Sequence, residues 1–268
     1  MNRIDAVFER VRAEKRAALI VFVTAGDPDL ETTAELVPEL ADAGADIVEL
    51  GVPHSDPIAE GPTIQASSQR ALEGGVTPSH IFDLCRRLRR ATEVPLVLMG
   101  YANNVMARGE EAFVEACAAS GVDGIIPVDL PFDEAPELAA ACAAKGVHQI
   151  LLVAPTSTPE RVVQVAQRSA GFVYCVSVTG VTGARSDMPA DLGTLVERIQ
   201  RVSALPVCVG FGVSTGAHAR EVARIADGVI VGSALVQRVA EGGSRSEIVD
   251  RAVGFVRELS AAVRSARA

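Results

Sequence analysis

One pattern dominates the chain: a short run rich in Val, Ile or Leu, then a polar or glycine-rich turn, then an Ala/Leu/Glu/Arg stretch of helical length, repeated from end to end. The apolar runs are 18–24, 47–51, 95–99, 124–127, 149–153, 172–177, 206–210 and 228–232. Each has strand length, and strands alternating with helices imply a parallel sheet covered on its faces. Eight units favour closure into a ring over an open sheet. A length of 268 residues fits one domain, 1–268, of that kind. The expectation is therefore an α/β fold, a (β/α)8 (TIM) barrel, with no low-complexity linker dividing it.

The helical segments carry their own punctuation. The stretch 30–43 follows Asp29 and 79–91 begins with Ser79, both N-cap residue types. The stretch 110–119 stops before Ser120-Gly121, and 134–145 stops before Gly146. Thr158-Pro159-Glu160 opens a further helix with proline at a tolerated first-turn position. The stretches 191–202, 215–225 and 244–266 complete the outer layer. Three pieces are additional to the eightfold plan: 4–13 before the first strand, placed to plug the barrel bottom, 62–73 after the second, and 234–240 after the eighth.

Composition narrows the partners. Only 4% of residues are aromatic and tryptophan is absent, so the core is aliphatic, as buried parallel strands require. A net charge of −9, with no long basic run, argues against nucleic acid and anionic membrane surfaces. Cys85, Cys117, Cys142, Cys175 and Cys208 are odd in number, scattered, and without a CxxC pair. They read as free thiols in a reducing cytoplasm. The N-terminus is charged at once, with no apolar secretory stretch, and no run approaches membrane-span length.

In such a barrel, function resides in the loops after the strands. Strand two reads Asp46-Ile47-Val48-Glu49-Leu50-Gly51. Strand alternation aims Glu49 into the barrel mouth, where partial burial would raise its pKa and suit it to moving protons. The loop that follows, 52–62, holds Asp56, Glu60 and stiffening prolines, and those two carboxylates read equally well as solvated loop charges. His54 reads as exposed or packed on the loop.

The last three strands end in glycine-rich turns: 179–184 with Thr182 and Gly183, 210–214 with Gly210, Phe211 and Gly212, and Gly232-Ser233-Ala234. Glycines let backbone N–H groups approach an anion, and Ser233 opens a short helix whose N-terminus attracts phosphate. Three such turns in a row define a phosphate site by pattern, and say only that the ligand carries a phosphate.

These residues resemble one family. Leu19 to Pro28 (LIVFVTAGDP), Glu49 to Gln65 (ELGVPHSDPIAEGPTIQ), Leu98 to Asn103 (LMGYAN), Pro127 to Pro131 (PVDLP), Ser177 to Gly183 and Gly210 to Gly212 are similar, in order, to the motifs of tryptophan synthase alpha chains. The resemblance covers essentially the whole chain. It implies cofactor-free, aldol-type cleavage of indole-3-glycerol phosphate to indole and glyceraldehyde 3-phosphate in tryptophan biosynthesis, with no metal. Pyridoxal phosphate is expected only in the partner beta chain of an alpha2-beta2 assembly.

By the same resemblance, Glu49 is the acid/base at indole C3, Glu60 contacts the indole N–H, and Tyr174 stands beside them. Gly183, Gly212, Gly232 and Ser233 hold the phosphate. Phe22, Met99, Tyr101, Ile126, Thr182, Phe211 and Ile230 surround the indole, though Ile126 and Ile230 read equally as barrel core. Pro53, Asp56 and Asp129 match positions at or near the beta-chain interface. The loop 178–189 is placed to serve as a lid. Two positions depart from the family: Glu60 stands where aspartate is usual, and His54 where an aromatic residue is usual. The alternatives are a stand-alone indole-releasing lyase, a catalytically weak subunit that mainly activates the beta chain, and an unrelated phosphate-binding barrel.

Overall fold

The computed structural model describes residues 1–176, 191–210 and 212–267. The expectations for Thr182, Gly183, Phe211 and the loop 178–189 fall outside these residues.

Among the described residues nine parallel strands form one sheet: β1 (Ala18–Thr24), β2 (Ile47–Gly51), β3 (Leu96–Gly100), β4 (Gly124–Pro127), β5 (His148–Gln149), β6 (Leu151–Val153), β7 (Val173–Val176), β8 (Val207–Gly210) and β9 (Gly228–Val231). Their order is β5-β4-β3-β2-β1-β9-β8-β7-β6. The two outermost strands are neighbours in the chain, separated only by Ile150, so the backbone itself joins the sheet's two ends into a ring. The expected fifth strand, 149–153, is thus two short pieces. Ile150 still donates to Ile125 O at 2.9 Å, but the N–H of Leu151 is captured by Ser169 Oγ at 3.1 Å. That side chain takes a bond that a ladder partner would otherwise receive, which interrupts the strand.

Strand alternation sorts the side chains into two cores. Ile20, Phe22, Ile47, Val97, Met99, Ile126, Tyr174, Cys208 and Ile230 fill the barrel interior. Their chain neighbours Leu19, Val21, Val48, Leu50, Leu96, Leu98, Val173, Val207, Val229 and Val231 face the helical layer. Glu49 stands between Val48 and Leu50 and shares the inward parity of Ile47, so the strand's own pleat turns its carboxyl into the barrel.

The floor is sealed by the helix Arg3–Ala13, whose buried face is Ile4, Val7, Phe8 and Val11. Phe8 packs on Phe172 with ring centroids 5.9 Å apart. Asn2 caps this helix by accepting from Ile4 N at 2.8 Å, and its amide donates to Asp123 O and Gly146 O. Close by, Asp46 accepts two bonds from Arg16 (2.6 and 2.9 Å), one from Arg10 (2.8 Å) and one from Leu19 N (2.9 Å). This buried network fixes the start of β2.

Helix boundaries follow their proline and cap chemistry. The helix expected at 79–91 is Pro78–Leu88, because Thr77, not Ser79, is the N-cap and Pro78 takes the first helical position. The helix expected at 134–145 is Pro136–Lys145, since the residue before a proline is disfavoured in the helical region and Ala135 sits at φ −136°, ψ 58°. The extra helices Pro62–Glu73 and Ser233–Ala240 are present, and a further one, Ala102–Met106, follows β3. Among the described residues no helix is long and apolar enough to cross a membrane. All five cysteines are buried free thiols.

Candidate active site

At the C-terminal ends of the strands the described residues enclose a cavity of about 270 Å³, lined by Phe22, Glu49, Glu60, Thr63, Ile64, Met99, Tyr174, Gly212, Val213, Ser214, Ile230, Gly232, Ser233, Ala234, Gln237 and Arg238. Two carboxyls, one phenol and one guanidinium thus share a chamber of mixed polar and apolar lining.

Glu49 is fully buried, and neither of its carboxyl oxygens has a hydrogen-bond partner among the described residues. A buried carboxylate without partners is costly, so the neutral acid is favoured. Burial, with a smaller contribution from the charge of Glu60, pushes its pKa up to about 8. Glu60 is 6% exposed, and burial pushes it up to about 7. Two carboxyls whose environments set them apart around neutrality can divide acid and base work. Tyr174 is buried beside them, and burial together with both carboxyls holds its phenol well above its ordinary pKa, so it stays protonated.

Glycines make room for these groups. A Cβ on Gly210 would stand 2.3 Å from Tyr174 Oη, and one on Gly51 would stand 2.3 Å from Phe22 Cζ. Gly212 is glycine for a different reason: its φ is +86°, and an added Cβ would meet nothing within 4 Å.

The loop bearing Glu60 is held from several sides. Tyr101 Oη accepts from Ala59 N at 3.0 Å, and His54 stacks on the Tyr101 ring at 4.5 Å and 16°. Gln65 Nε2 donates to Glu60 O at 2.8 Å. The helix that follows is fastened to the end of β1 by Thr24–Ser67 at 2.6 Å and to the turn after it by a paired Arg70–Asp27 bridge (2.7 and 2.8 Å). On the opposite rim, Gly232, Ser233 and Ala234 line the cavity at the start of Ser233–Ala240, a helix without a side-chain cap. That is the setting in which first-turn N–H groups and the helix dipole attract an anion.

The cavity gathers most of the residues singled out by sequence: Phe22, Glu49, Glu60, Met99, Tyr174, Gly212, Ile230, Gly232 and Ser233. Two stand apart. Tyr101 and Ile126 line a small adjoining pocket between β3 and β4, with Tyr101 turned to the Glu60 loop. Of the interface positions, Pro53 is buried, whereas Asp56 and Asp129 are exposed and Asp129 accepts from Ala102 N at 2.6 Å. Thr63, Ser214 and Arg238 were not foreseen. Ser214 follows a glycine turn already suspected, but nothing in the sequence marks Arg238. Among the described residues no cluster of three His, Cys, Asp or Glu side chains is placed to hold a metal ion.

A ring of parallel strands, with two near-neutral carboxyls in its mouth and a helix N-terminus across from them, defines a (β/α)8 enzyme equipped for acid–base work on an anionic ligand. Comparison with known proteins makes the assignment specific. Residues 8–264 match the family model described as tryptophan synthase alpha chain. The tryptophan synthase alpha chain of Geobacter sp. (strain M21) is 51% identical over 263 residues, 98% of each chain. That of Thermoanaerobacter sp. (strain X514) is 45% identical over 259 residues, 97% of this chain and 98% of the relative. A solved structure of Mycobacterium tuberculosis tryptophan synthase superposes with a TM-score of 0.90 at 42% identity, covering 98% of each chain. The alpha chain from Legionella pneumophila subsp. pneumophila does so with 0.89 at 34% identity, covering 98% of this chain and 97% of the other. The chain belongs to the tryptophan synthase alpha chain family, and it is a lyase of tryptophan biosynthesis.

Proposed function

We propose that the cavity between Glu49 and Ser233 is where the family's reaction, cleavage of indole-3-glycerol phosphate to indole and glyceraldehyde 3-phosphate, takes place. The observation that carries this reading is the pair of buried carboxyls, pushed to about 8 and about 7, in one chamber. Near neutral pH Glu49 is largely the neutral acid and gives its proton to indole C3. Glu60, about half ionised, accepts the indole N–H as that nitrogen gains positive charge. Glu49, now a carboxylate, takes the proton of the glycerol hydroxyl next to the ring. The carbon–carbon bond breaks, its electron pair returns to the ring, and the former hydroxyl carbon becomes the aldehyde. The proton of that hydroxyl is replaced on C3 in net balance, so neither water nor a redox partner is consumed. Phe22, Met99 and Ile230 pack the indole. Gly212, Gly232 and Ser233 receive the phosphate through backbone N–H groups and the Ser233 hydroxyl.

The partner in this reading is a tryptophan synthase beta chain in an alpha2-beta2 assembly. Supporting it, the loop before Glu60 presents Asp56 and a 70% exposed Ile58 to the outside, next to the site. An exposed branched aliphatic on a loop tied to the active site suits an interface that communicates with it. A cytoplasmic location is part of the same reading, supported by the five unpaired thiols.

Indole release by wild type, Glu49→Gln and Glu60→Asp, each with and without the cognate beta chain, tests this. Glu49→Gln cannot ionise and loses turnover by roughly a hundredfold or more. Glu60→Asp retains or raises activity, and a large loss there shows a loop retuned to glutamate. Undiminished release by Glu49→Gln overturns the assignment.

A further inference from the structure

We propose that Arg238 is a specificity-determining residue for a phosphomonoester dianion, the one basic side chain of this cavity among the described residues; the proposal rests on the reaction assigned above. Arg238 is the only basic residue lining the cavity in the described part of the chain, against two carboxyls. It lies on the same short helix as Ser233, one and a half turns on. Its guanidinium is fixed in place from two sides. Nη1 donates to Ala234 O at 3.0 Å, and the plane rests over the Phe255 ring at 3.6 Å. No carboxylate lies within salt-bridge distance of it among the described residues, in contrast to Arg251, which pairs with Glu241.

The chemistry follows from what backbone groups cannot do. N–H groups and a serine hydroxyl favour a phosphate over a neutral group through hydrogen bonds, but they add no net charge. Two acidic side chains in the same chamber repel a dianion whenever either is ionised. A guanidinium held by stacking, with donors left over, restores a cation without needing to be ordered on binding. Its fork suits phosphate oxygens, and hydrogen bonds to a charged group are about twice as strong as neutral ones.

The test uses the purified full chain and two separate probes, glycerol 3-phosphate and indole, with indole release as a third arm. Arg238→Met keeps the aliphatic stem and removes the charge, whereas Arg238→Lys keeps the charge. The dissociation constant for glycerol 3-phosphate and KM for indole-3-glycerol phosphate rise roughly tenfold in Arg238→Met, while kcat and indole affinity hold within about twofold. Arg238→Lys recovers most of the loss, which a purely structural role would not give. A salt arm needs no variant: wild-type affinity for glycerol 3-phosphate falls severalfold between about 20 and about 200 mM salt. The proposal is overturned if Arg238→Met binds glycerol 3-phosphate like wild type, if indole and glycerol phosphate weaken together, if lysine rescues nothing, or if the salt response is flat. Wild-type chain that binds glycerol 3-phosphate but releases no indole refutes the reaction while leaving the Arg238 assignment standing.

Discussion

The hydroxyl of Tyr101, at the end of β3, accepts the backbone N–H of Ala59 at 3.0 Å, one residue before the carboxyl of Glu60. Tyr101, which the resemblance places around the indole, thereby anchors the loop carrying one of the two acids. Removing only that oxygen tests the link. Tyr101→Phe keeps the ring and its stack with His54, but leaves the Ala59 N–H without its acceptor. Misplacement of a reacting group by an ångström costs on the order of a hundredfold, and a loosened loop part of that. We expect kcat to fall roughly tenfold with stability lowered by about 1 kcal/mol. Full activity in steady-state assays would show that the other ties to the loop suffice.

The two carboxyls set a pH profile. In the proposed reaction cleavage needs Glu49 protonated and Glu60 ionised, so activity is expected to rise as pH passes about 7 and to decline as it passes about 8. The substrate's own second phosphate ionisation, near pH 6, lies below both limbs. A narrow bell in kcat/KM is the expected result. A rate independent of pH from about 6 to about 9 contradicts the division of labour.

Stability should carry the same signature with the sign of a raised acid. Glu49 titrates near its ordinary value of 4.5 when the chain is unfolded and at about 8 when folded. Its favourable contribution is therefore complete below about 4.5 and is lost as pH rises through about 8. Glutamine is neutral throughout. Glu49→Gln should melt close to wild type near pH 5 and above it near pH 9, by a difference on the order of 5 kcal/mol. Thermal unfolding at the two pH values reads this directly.

Asp46 behaves in the opposite sense. Although burial works against it, the bonds from Arg16, Leu19 N and Arg10 hold its carboxyl below the usual range. Its contribution is present above the unfolded pKa and is lost as pH falls through the lower folded one. Asp46→Ala leaves the buried Arg16 guanidinium only Glu14 and Ala17 O as partners and should cost about 3 kcal/mol. Denaturant unfolding at neutral pH measures it, and a loss under about 1 kcal/mol would reduce the network to a surface-like pair.

Much of this was legible beforehand because a barrel strand advertises itself twice, as an apolar run and by what interrupts the run. Glu49 is the only charged residue inside its strand, and the pleat fixes where it points. Asp29 as a cap and Gly146 as a left-handed helix end follow from local chemistry and stand where the sequence put them. What could not be read depends on partners remote in the chain. Ile150 looks like the middle of a continuous strand until Ser169 takes the next N–H. Tyr101 sits at a strand end, but its bond to Ala59 spans 42 positions. Arg238 resembles any outward arginine on an amphipathic helix, and only the folded chain brings it to the cavity lining and onto the Phe255 ring.

Ile4, Phe8 and Phe172 stopper the far end of the ring, and this makes the enzyme a blind vessel. With the floor shut by these side chains, whatever enters the chamber comes and goes at the loop-bearing end.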